Sequence, residues 1–395
     1  MSSAANPPQS NVWKPDADDE QLMSHFVGPM ATFLRRFIES DYIGTTVRNL
    51  IGDFTRSVVA LIELTTMANA VVNFVCMILG SRRLLHFFRM CARYEKSAAF
   101  RAPTTSEARR RDWCMRLWRI GVLQTAMMTY VAVLYFYYGP RGSRTDWNAV
   151  SKVASAASLC GYMVYDCLMY LILRSTCEVL IWYVRDQRAV FEELSKCVAG
   201  QAPTSSGVRA LSAPLTVESV RLNLTKIREL KACINEVWSP ALALTAVTVL
   251  LLKCCALYDV VSAGGYDLAV AMSSLRASHS AMRFNELAFI NQSLRDEARN
   301  IKQTAQAATT LWADDLYSRQ VSRPPQVSRV LSQFHVFDAQ VQFLHDSIDP
   351  EEMCLSGGGF FRLDRPLIVS MMGALITYTV ILAQTGQQLD QSHSK

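Results

Sequence analysis

Residues 238–262 read WSPALALTAVTVLLLKCCALYDVVS, a run in which only Lys253 and Asp259 carry charge. A helix needs about 20 predominantly apolar residues to cross the hydrocarbon core of a bilayer, and this stretch supplies them. Four more windows of the same kind lie at 56–79, 117–138, 150–173 and 366–385. A sixth, 266–290, carries Arg276, His279, Arg283 and Glu286, and by composition alone could also pack as a buried amphipathic helix. The whole chain fits this pattern. It has 395 residues, 50% of them hydrophobic and 19% charged, where a soluble domain has roughly 25% charged, and its mean hydropathy is +0.12. That length holds a bundle of six to eight spanning helices, and the composition excludes disorder and fibrous repeats.

Lysine and arginine in the connections set the orientation, because short cytoplasmic connections accumulate them. The stretch 80–116 is dense in arginine, from Arg82 and Arg83 to Arg109, Arg110, Arg111 and Arg116, whereas 139–149 has only Arg141 and Arg144. The alternation continues. Residues 174–237 and 291–365 are basic, 261–265 has no basic residue, and the tail 386–395 has only Lys395. The polarity therefore puts 80–116, 174–237 and 291–365 in the cytoplasm and the C-terminus outside, and it requires 266–290 to span. Trp113 and Trp118 flank one end of 117–138 and Tyr135, Tyr137, Tyr138 and Trp147 the other, which is where amphipathic rings collect at a membrane interface. The formal charge of +6 is thus spread by topology, and the Arg109–Arg111 run reads as an orientation signal rather than a nucleic-acid patch.

An even number of spans would leave the N-terminus outside, and an odd number inside. The candidate for a seventh span is 25–47, where Phe26, Met30, Phe33, Leu34, Phe37 and Ile38 are interrupted by Arg35, Arg36, Glu39 and Asp41. The expectation is an all-α membrane protein: a seven-transmembrane helix bundle with an intracellular N-terminus, an extracellular C-terminus, a cytoplasmic helical anchor and a degenerate first helix. Residues 1–24, with Asp16, Asp18, Asp19 and Glu20 and no apolar core, read as a disordered cytoplasmic start without a cleavable signal peptide. The Ala/Ser/Pro-rich run near 198–216 reads as a loop, and Pro240 and Pro366 as helix starts.

Enzymatic signatures are missing. There is no nucleophile elbow, P-loop, dinucleotide fingerprint or H-E-x-x-H, and the Gly357–Gly359 run lacks the strand–helix context that phosphate binding needs. Eleven cysteines without a C-x-x-C pair read as reduced thiols. His335 and His345 are ten residues apart, which is not ligand spacing on a helix, so no metal and no cofactor is expected. Ionisable residues within spans are the sharper pointers, because lipid makes them costly unless they pair or line a wet cavity. Glu63 lies seven residues from the outer end of its window and Lys253 nine, so both sit roughly 10–14 Å deep and can meet. With Tyr130, Tyr135, Tyr258, Asp259, Tyr266 and Asp267 they either flank a ligand cavity open to the outside or form a structural salt bridge. Asp166 falls in the inner half of its window, where a polar contact between helices accounts for it. The sequons at Asn223 and Asn291 fall on the cytoplasmic side and are expected to be unglycosylated.

The stretch from Cys354 to Thr385, CLSGGGFFRLDRPLIVSMMGALITYTVILAQT, resembles the end of the arthropod gustatory receptors. In that family a glycine-phenylalanine turn and a short L-D-R/N run precede a last helix carrying T-Y, five apolar residues and Q-F. Here Gly359, Phe360, Leu363, Asp364, Arg365, Thr377, Tyr378 and Gln384 match, and Thr385 departs from the family's phenylalanine. The stretch from Asn291, NQSLRDEARNI, is similar to the family's cytoplasmic extension of the sixth helix.

The resemblance implies a chemosensory, ligand-gated, non-selective cation channel built as a homo- or heterotetramer in the plasma membrane of a sensory neuron. Its partners would be a small-molecule tastant, membrane lipid and other gustatory receptor subunits, with no nucleic acid and no enzymatic role. Residues 25–290 would hold six helices and the ligand, 291–355 the anchor, 356–365 a turn, 366–385 the pore-lining helix and 386–395 an extracellular tail. Thr377, Tyr378, Leu382, Gln384 and Thr385 would line or gate the pore. An apolar ring closes a pore by dewetting, so Thr385 weakens such a gate unless Leu382 or Ile381 takes over. The stripe Val330, Phe334, Phe337, Val341 and Leu344 within 327–347 asks for a partner helix, either in another subunit or in its own chain. Two other readings stay open: a co-subunit that binds no ligand, and a transporter using Glu63, Asp166 and Lys253. The outward C-terminus is the reverse of a G-protein-coupled receptor's polarity.

Overall fold

The computed structural model describes residues 54–100, 147–198, 206–262, 268–322 and 327–393. Packing divides the chain into two compact units, Met1–Ala60 and Leu61–Lys395, and the helical core belongs to the second. Among the described residues four long helices come first: α1 Phe54–Ala98 (45 residues), α2 Trp147–Val198 (52), α3 Ser206–Ser262 (57) and α4 Leu268–Ser322 (55). Then follow α5 Val327–Ser347, a 3-10 turn Pro350–Met353, a hairpin of β1 Ser356–Gly357 and β2 Phe361–Arg362, and α6 Arg365–His393. The expected segments 1–24, 25–47 and 117–138 lie outside the described residues.

At 1.5 Å per residue α1 to α4 are about 68–85 Å long, more than twice the thickness of a hydrocarbon core. The excess changes the reading of the connections. Residues 80–98, 174–198 and 206–237, expected as loops, are uninterrupted helix, because their arginines and glutamates are spaced around an apolar stripe that suits an aqueous helix surface. Helix α3 also takes in Pro214 and runs straight through Pro240, so neither the whole 198–216 run nor Pro240 marks a break. Pro366 does stand at a helix start, and α6 continues past 385 to His393. Among the described residues, Val71–Ala98 and Leu215–Tyr258 contain stretches long and apolar enough to cross a membrane, and Arg365–Ile381 is a shorter apolar helix.

The best-buried seam lies largely in the extensions. On α2 it runs Leu173, Cys177, Leu180, Val184, Gln187 and Phe191; on α3 Ile227, Leu230, Ile234, Val237 and Ala241; on α4 Leu294, Ala298, Ile301, Ala305 and Ala308. Steps of four and three residues alternate in each, the spacing that lets helices wind about one another with a shared apolar strip. The seam has a polar rung where Asn223 Nδ2 donates to Gln187 Oε1 at 3.1 Å. Helix α1 joins it through Tyr183 Oη, which donates to Glu95 Oε1 at 2.6 Å, and through Tyr94, whose ring lies 4.5 Å from that of Tyr183. Of the α5 stripe, Phe337, Val341 and Leu344 are buried in this same core against α3 and α4. That part of the stripe finds its partner within the chain, while Val330 and Phe334 have no described side chains.

Candidate functional site

Two constructions stand out, a cleft among α1 to α4 and a clasp that holds the start of α6. The cleft is lined by Asn69 of α1, Met169 and Tyr170 of α2, Thr245, Thr248 and Val249 of α3, and Ser280, Arg283, Phe284 and Leu287 of α4. It encloses about 380 Å³ of empty space, its open mouth included. Met169, Val249, Phe284 and Leu287 give it apolar surface, while Asn69, Tyr170, Thr245, Thr248, Ser280 and Arg283 offer hydroxyls, an amide and a guanidinium. Thr245 Oγ1 donates to Asn69 Oδ1 at 3.0 Å, which ties α3 to α1 at the cleft wall.

Beside it, Arg174 Nη1 donates to Tyr170 Oη at 2.6 Å and to Glu286, while Tyr170 Oη donates to Glu286 and Arg174 Nε to Glu178 Oε1 at 3.2 Å. The arginine is 7% exposed and Glu286 39%, so the cation is buried and the carboxylate is the more exposed member of the pair. Farther along the same pair of helices Glu297 is bridged by Arg185 and Arg188, each at 2.6 Å. Helices α2 and α4 are therefore joined by two successive ionic rungs.

Of the ligand residues expected from sequence, only Lys253 and Tyr258 have described side chains, and neither lines this cleft. Lys253 Nζ instead donates to Ser278 Oγ at 3.3 Å, and Tyr258 is buried. Glu63, Asp259 and Asp166 lie on described helices without described side chains, while Tyr130, Tyr135, Tyr266 and Asp267 lie outside the described residues. Within the apolar window 238–262 of α3, the cleft residues Thr245, Thr248 and Val249 sit nearer the start than the end, the side the sequence assigns to the cytoplasm. Arg283 and Glu286 were the available signal. They count against 266–290 as a span, yet buried charges in such a window are also what marks a polar site.

The clasp is the stretch that carries the family resemblance. Gly358 and Gly359 have φ of 60° and 77°, a left-handed pair that glycine adopts without steric cost, and Phe360 N–H closes the turn onto Gly357 C=O at 3.0 Å. Gly358 N–H donates to Ser239 C=O at 2.9 Å and to Ser239 Oγ at 2.7 Å. This meets α3 at Pro240, which has no N–H for the Glu236 carbonyl. Ser356 N–H donates to Asn235 Oδ1 at 2.7 Å.

From the α4 side, Asn291 Nδ2 donates to Leu363 C=O and Asn291 Oδ1 accepts from Leu355 N–H at 2.9 Å. Arg295 pairs with Glu351 and, at 3.5 Å, with Asp364. Asp364 Oδ1 in turn accepts from Leu367 N–H at 3.1 Å, capping α6. Under the clasp, burial pushes the Cys354 thiol up to about 11 and lowers the pKa of the Lys231 ammonium. Asn223 and Asn291, the two sequon asparagines, are both buried.

On α6 itself Leu375 is buried, whereas Val369, Met372, Ile376 and Val380 face away from the chain. Thr377 is exposed and donates to Gly373 C=O at 3.1 Å. Tyr378 and Gln384 are exposed, and Leu382 and Thr385 have no described side chains. By helical spacing Thr377, Ile381 and Gln384 share one face.

Residues 22–389 match the 7tm Chemosensory receptor family. Among solved structures the chain is similar to the insect olfactory receptor OR5 from Machilis hrabei, with a TM-score of 0.65 and 16% identity over 94% of this chain and 92% of that one. The same receptor in complex with eugenol gives 0.60 and 14% over 96% and 93%. No curated protein sequence matches. At such identities the structural likeness speaks to the helical fold, and the match over nearly the whole length speaks to descent: the chain belongs to the 7tm chemosensory receptor family.

Proposed function

We propose that this protein is a gustatory receptor, a non-selective cation channel of the plasma membrane opened by a small-molecule tastant, with the helix 366–385 lining the pore of a tetramer. The observation that supports it best is the continuity of α4. The same helix lines the cleft with Ser280, Arg283, Phe284 and Leu287 and grips the start of α6 with Asn291 and Arg295. A ligand that favours one position of α4 thereby favours one position of α6, and it shifts the equilibrium only by its difference in affinity for the two. Eugenol binding by a receptor of this fold supports a small-molecule occupant.

In this reading 25–290 form six spanning helices with the N-terminus inside, 291–355 a cytoplasmic anchor, 356–365 the clasp and 386–395 the outer end of α6. Thr377, Gln384 and Thr385 face the permeation path, with Tyr378 and Leu382 beside them. The cleft takes the ligand, and Lys253, Tyr258, Glu63 and the outer tyrosines line its approach.

Whole-cell current from cells expressing this chain alone, screened against pooled sugars and bitter compounds, tests the reading. A cation current altered by Gln384→Ala or Thr385→Phe supports it. Silence with full surface expression would favour a co-subunit that binds no ligand, and flux insensitive to both changes would favour a transporter.

A further inference from the structure

The three basic connections differ in how far acids offset them. Residues 80–116 hold ten lysines and arginines against three acids, an excess of seven where the whole chain carries +6, whereas 174–237 hold nine against seven and 291–365 eight against ten. Orientation asks only for lysine and arginine on the inner side and is indifferent to acids. Gathering the uncompensated charge in one connection is therefore more than topology requires.

The first part of that connection is the end of α1. Leu79, Arg82, His86, Arg89, Arg93 and Lys96 follow one another at steps of three and four residues, so they form one stripe along the helix, with Val75 a turn before it. Val75 is 39% and Leu79 74% exposed, and Arg82, His86, Arg93 and Lys96 are exposed as well. The other charges of this stretch turn aside, Arg83 to Glu236 at 2.6 Å and Glu95 to Tyr183. Facing them from α3, Lys226 adds a further cation, its Nζ donating to Ser97 Oγ at 3.2 Å.

We propose that this stripe rests against anionic headgroups of the cytoplasmic leaflet, with Arg82 in the headgroup layer, Arg89 reaching back to it, and Arg93 and Lys96 beyond. Continuity selects that occupant. Helix α1 runs unbroken from the exposed apolar Val75 and Leu79 into the cations on the same face, so the lipid that covers Leu79 continues past Arg82. An acidic protein could reach Arg82 only by displacing it. Counted from Gly80, Arg82 stands roughly 3 Å and Lys96 roughly 24 Å along the helix axis. The leaflet's field falls off over about 8 Å at physiological salt, so the contact is graded along the stripe. It rests on the reading of α1 as a span with 80–116 inside, and not on the ligand or the pore.

The full-length protein is placed in nanodiscs of phosphatidylcholine with rising phosphatidylserine, and thermal unfolding is followed, since a lipid bound only by the folded state raises the midpoint. Phosphatidylserine is expected to stabilise, with the half-saturating fraction rising roughly fivefold in Arg82→Gln and less than about twofold in Lys96→Gln. Arg82→Lys should stay close to the parent, which separates charge from folding. No gain over phosphatidylcholine alone would overturn the contact and leave an acidic protein as the occupant. A loss as large in Lys96→Gln as in Arg82→Gln would also defeat it, because the leaflet does not reach that far along the helix. The exposed variant Ala92→Cys tests the topology by itself: a membrane-impermeant maleimide should label it, above the parent's own thiols, only after cells are permeabilised. Labelling from outside would sink the orientation and the contact with it, whereas labelling from inside without a phosphatidylserine preference would sink the contact alone.

Discussion

Asn291 and Leu363 are bonded across 72 residues of sequence, the amide of one buried α4 side chain donating to the last backbone carbonyl before the α6 cap. The same side chain accepts from Leu355 N–H, and Leu363 N–H donates to Leu355 C=O at 2.9 Å, so a single asparagine closes the ladder at the open end of the hairpin. A carboxylate offers no donor, and a hydroxyl has its donor and acceptor on one oxygen. The amide carries them on two separate atoms at the end of one short, neutral arm.

Asn291→Ala is expected to strand two buried backbone groups, at roughly 1–3 kcal/mol each. The thermal midpoint of the purified protein should fall by several degrees, and surface expression with it. Asn291→Asp keeps the acceptor and loses the donor while burying a charge, so it should rescue neither. A midpoint unchanged in Asn291→Ala would show that the two bonds contribute nothing to holding α6.

The hairpin glycines should rank by cause. Gly359→Ala meets open space and bears only the left-handed backbone, about 1–2 kcal/mol. A Cβ on Gly357 would run into the Phe361 ring, so Gly357→Ala must displace that ring from the core. Denaturation of the two variants side by side, with Gly357→Ala the less stable, checks the order.

At the cleft, Arg174→Ala and Glu286→Gln are not equivalent. Breaking a buried pair costs about 3–5 kcal/mol when it leaves a buried charge without a partner. Arg174 is the buried member, but without Glu286 it keeps Glu178 and Tyr170, whereas Arg174→Ala removes the one cation that Glu178 and Glu286 share. Glu286→Gln should therefore preserve expression and shift the half-activating ligand concentration, whereas Arg174→Ala should lower stability and shift it together. Equal stability loss in both would argue against this asymmetry.

Burial raises the pKa of Asp186 above 3.8, with Gln187 opposing. A raised folded value means that the native state holds the proton more tightly. Its contribution is complete below 3.8 and is lost as pH rises through the folded pKa. Asp186→Asn, which mimics the protonated form, should then melt higher than the parent at neutral pH, with the gap closing on acidification. Parallel melting curves across that range would remove burial as the cause.

How much of this was legible follows from which solvent each residue meets. The windows at 56–79, 150–173, 238–262 and 366–385 all fall on long helices, and Asp364–Pro366 reads correctly as the entry to the last one, because apolar runs and a helix cap are local signals. The overshoot of α1 to α4 beyond those windows was not legible in the same way. A water-facing helix rich in arginine and glutamate scores as a connection on any scale that asks only about lipid. Pro240 misled for a different reason: its ring removes the N–H that the Glu236 carbonyl would accept from, a local signal for a break, yet α3 continues through it. The cleft was missed because Asn69, Thr245, Thr248 and Ser280 are ordinary in type, and only their convergence from three helices sets them apart. Lys253, the more conspicuous residue, reaches Ser278 instead.

On the proposed topology, the alternating four-and-three seam implies a protein that answers to two solvents at once. The strip from Leu173 to Phe191, with its counterparts on α3 and α4, is held by exclusion from water, and so carries a positive heat capacity of unfolding and a sensitivity to urea. The helices inside lipid pack without that driving force and depend on close contact and hydrogen bonds. Cooling or mild denaturant should thus loosen the extensions while the spanning helices stay folded, freeing α6 from the grip of Asn291 before the cleft itself comes apart.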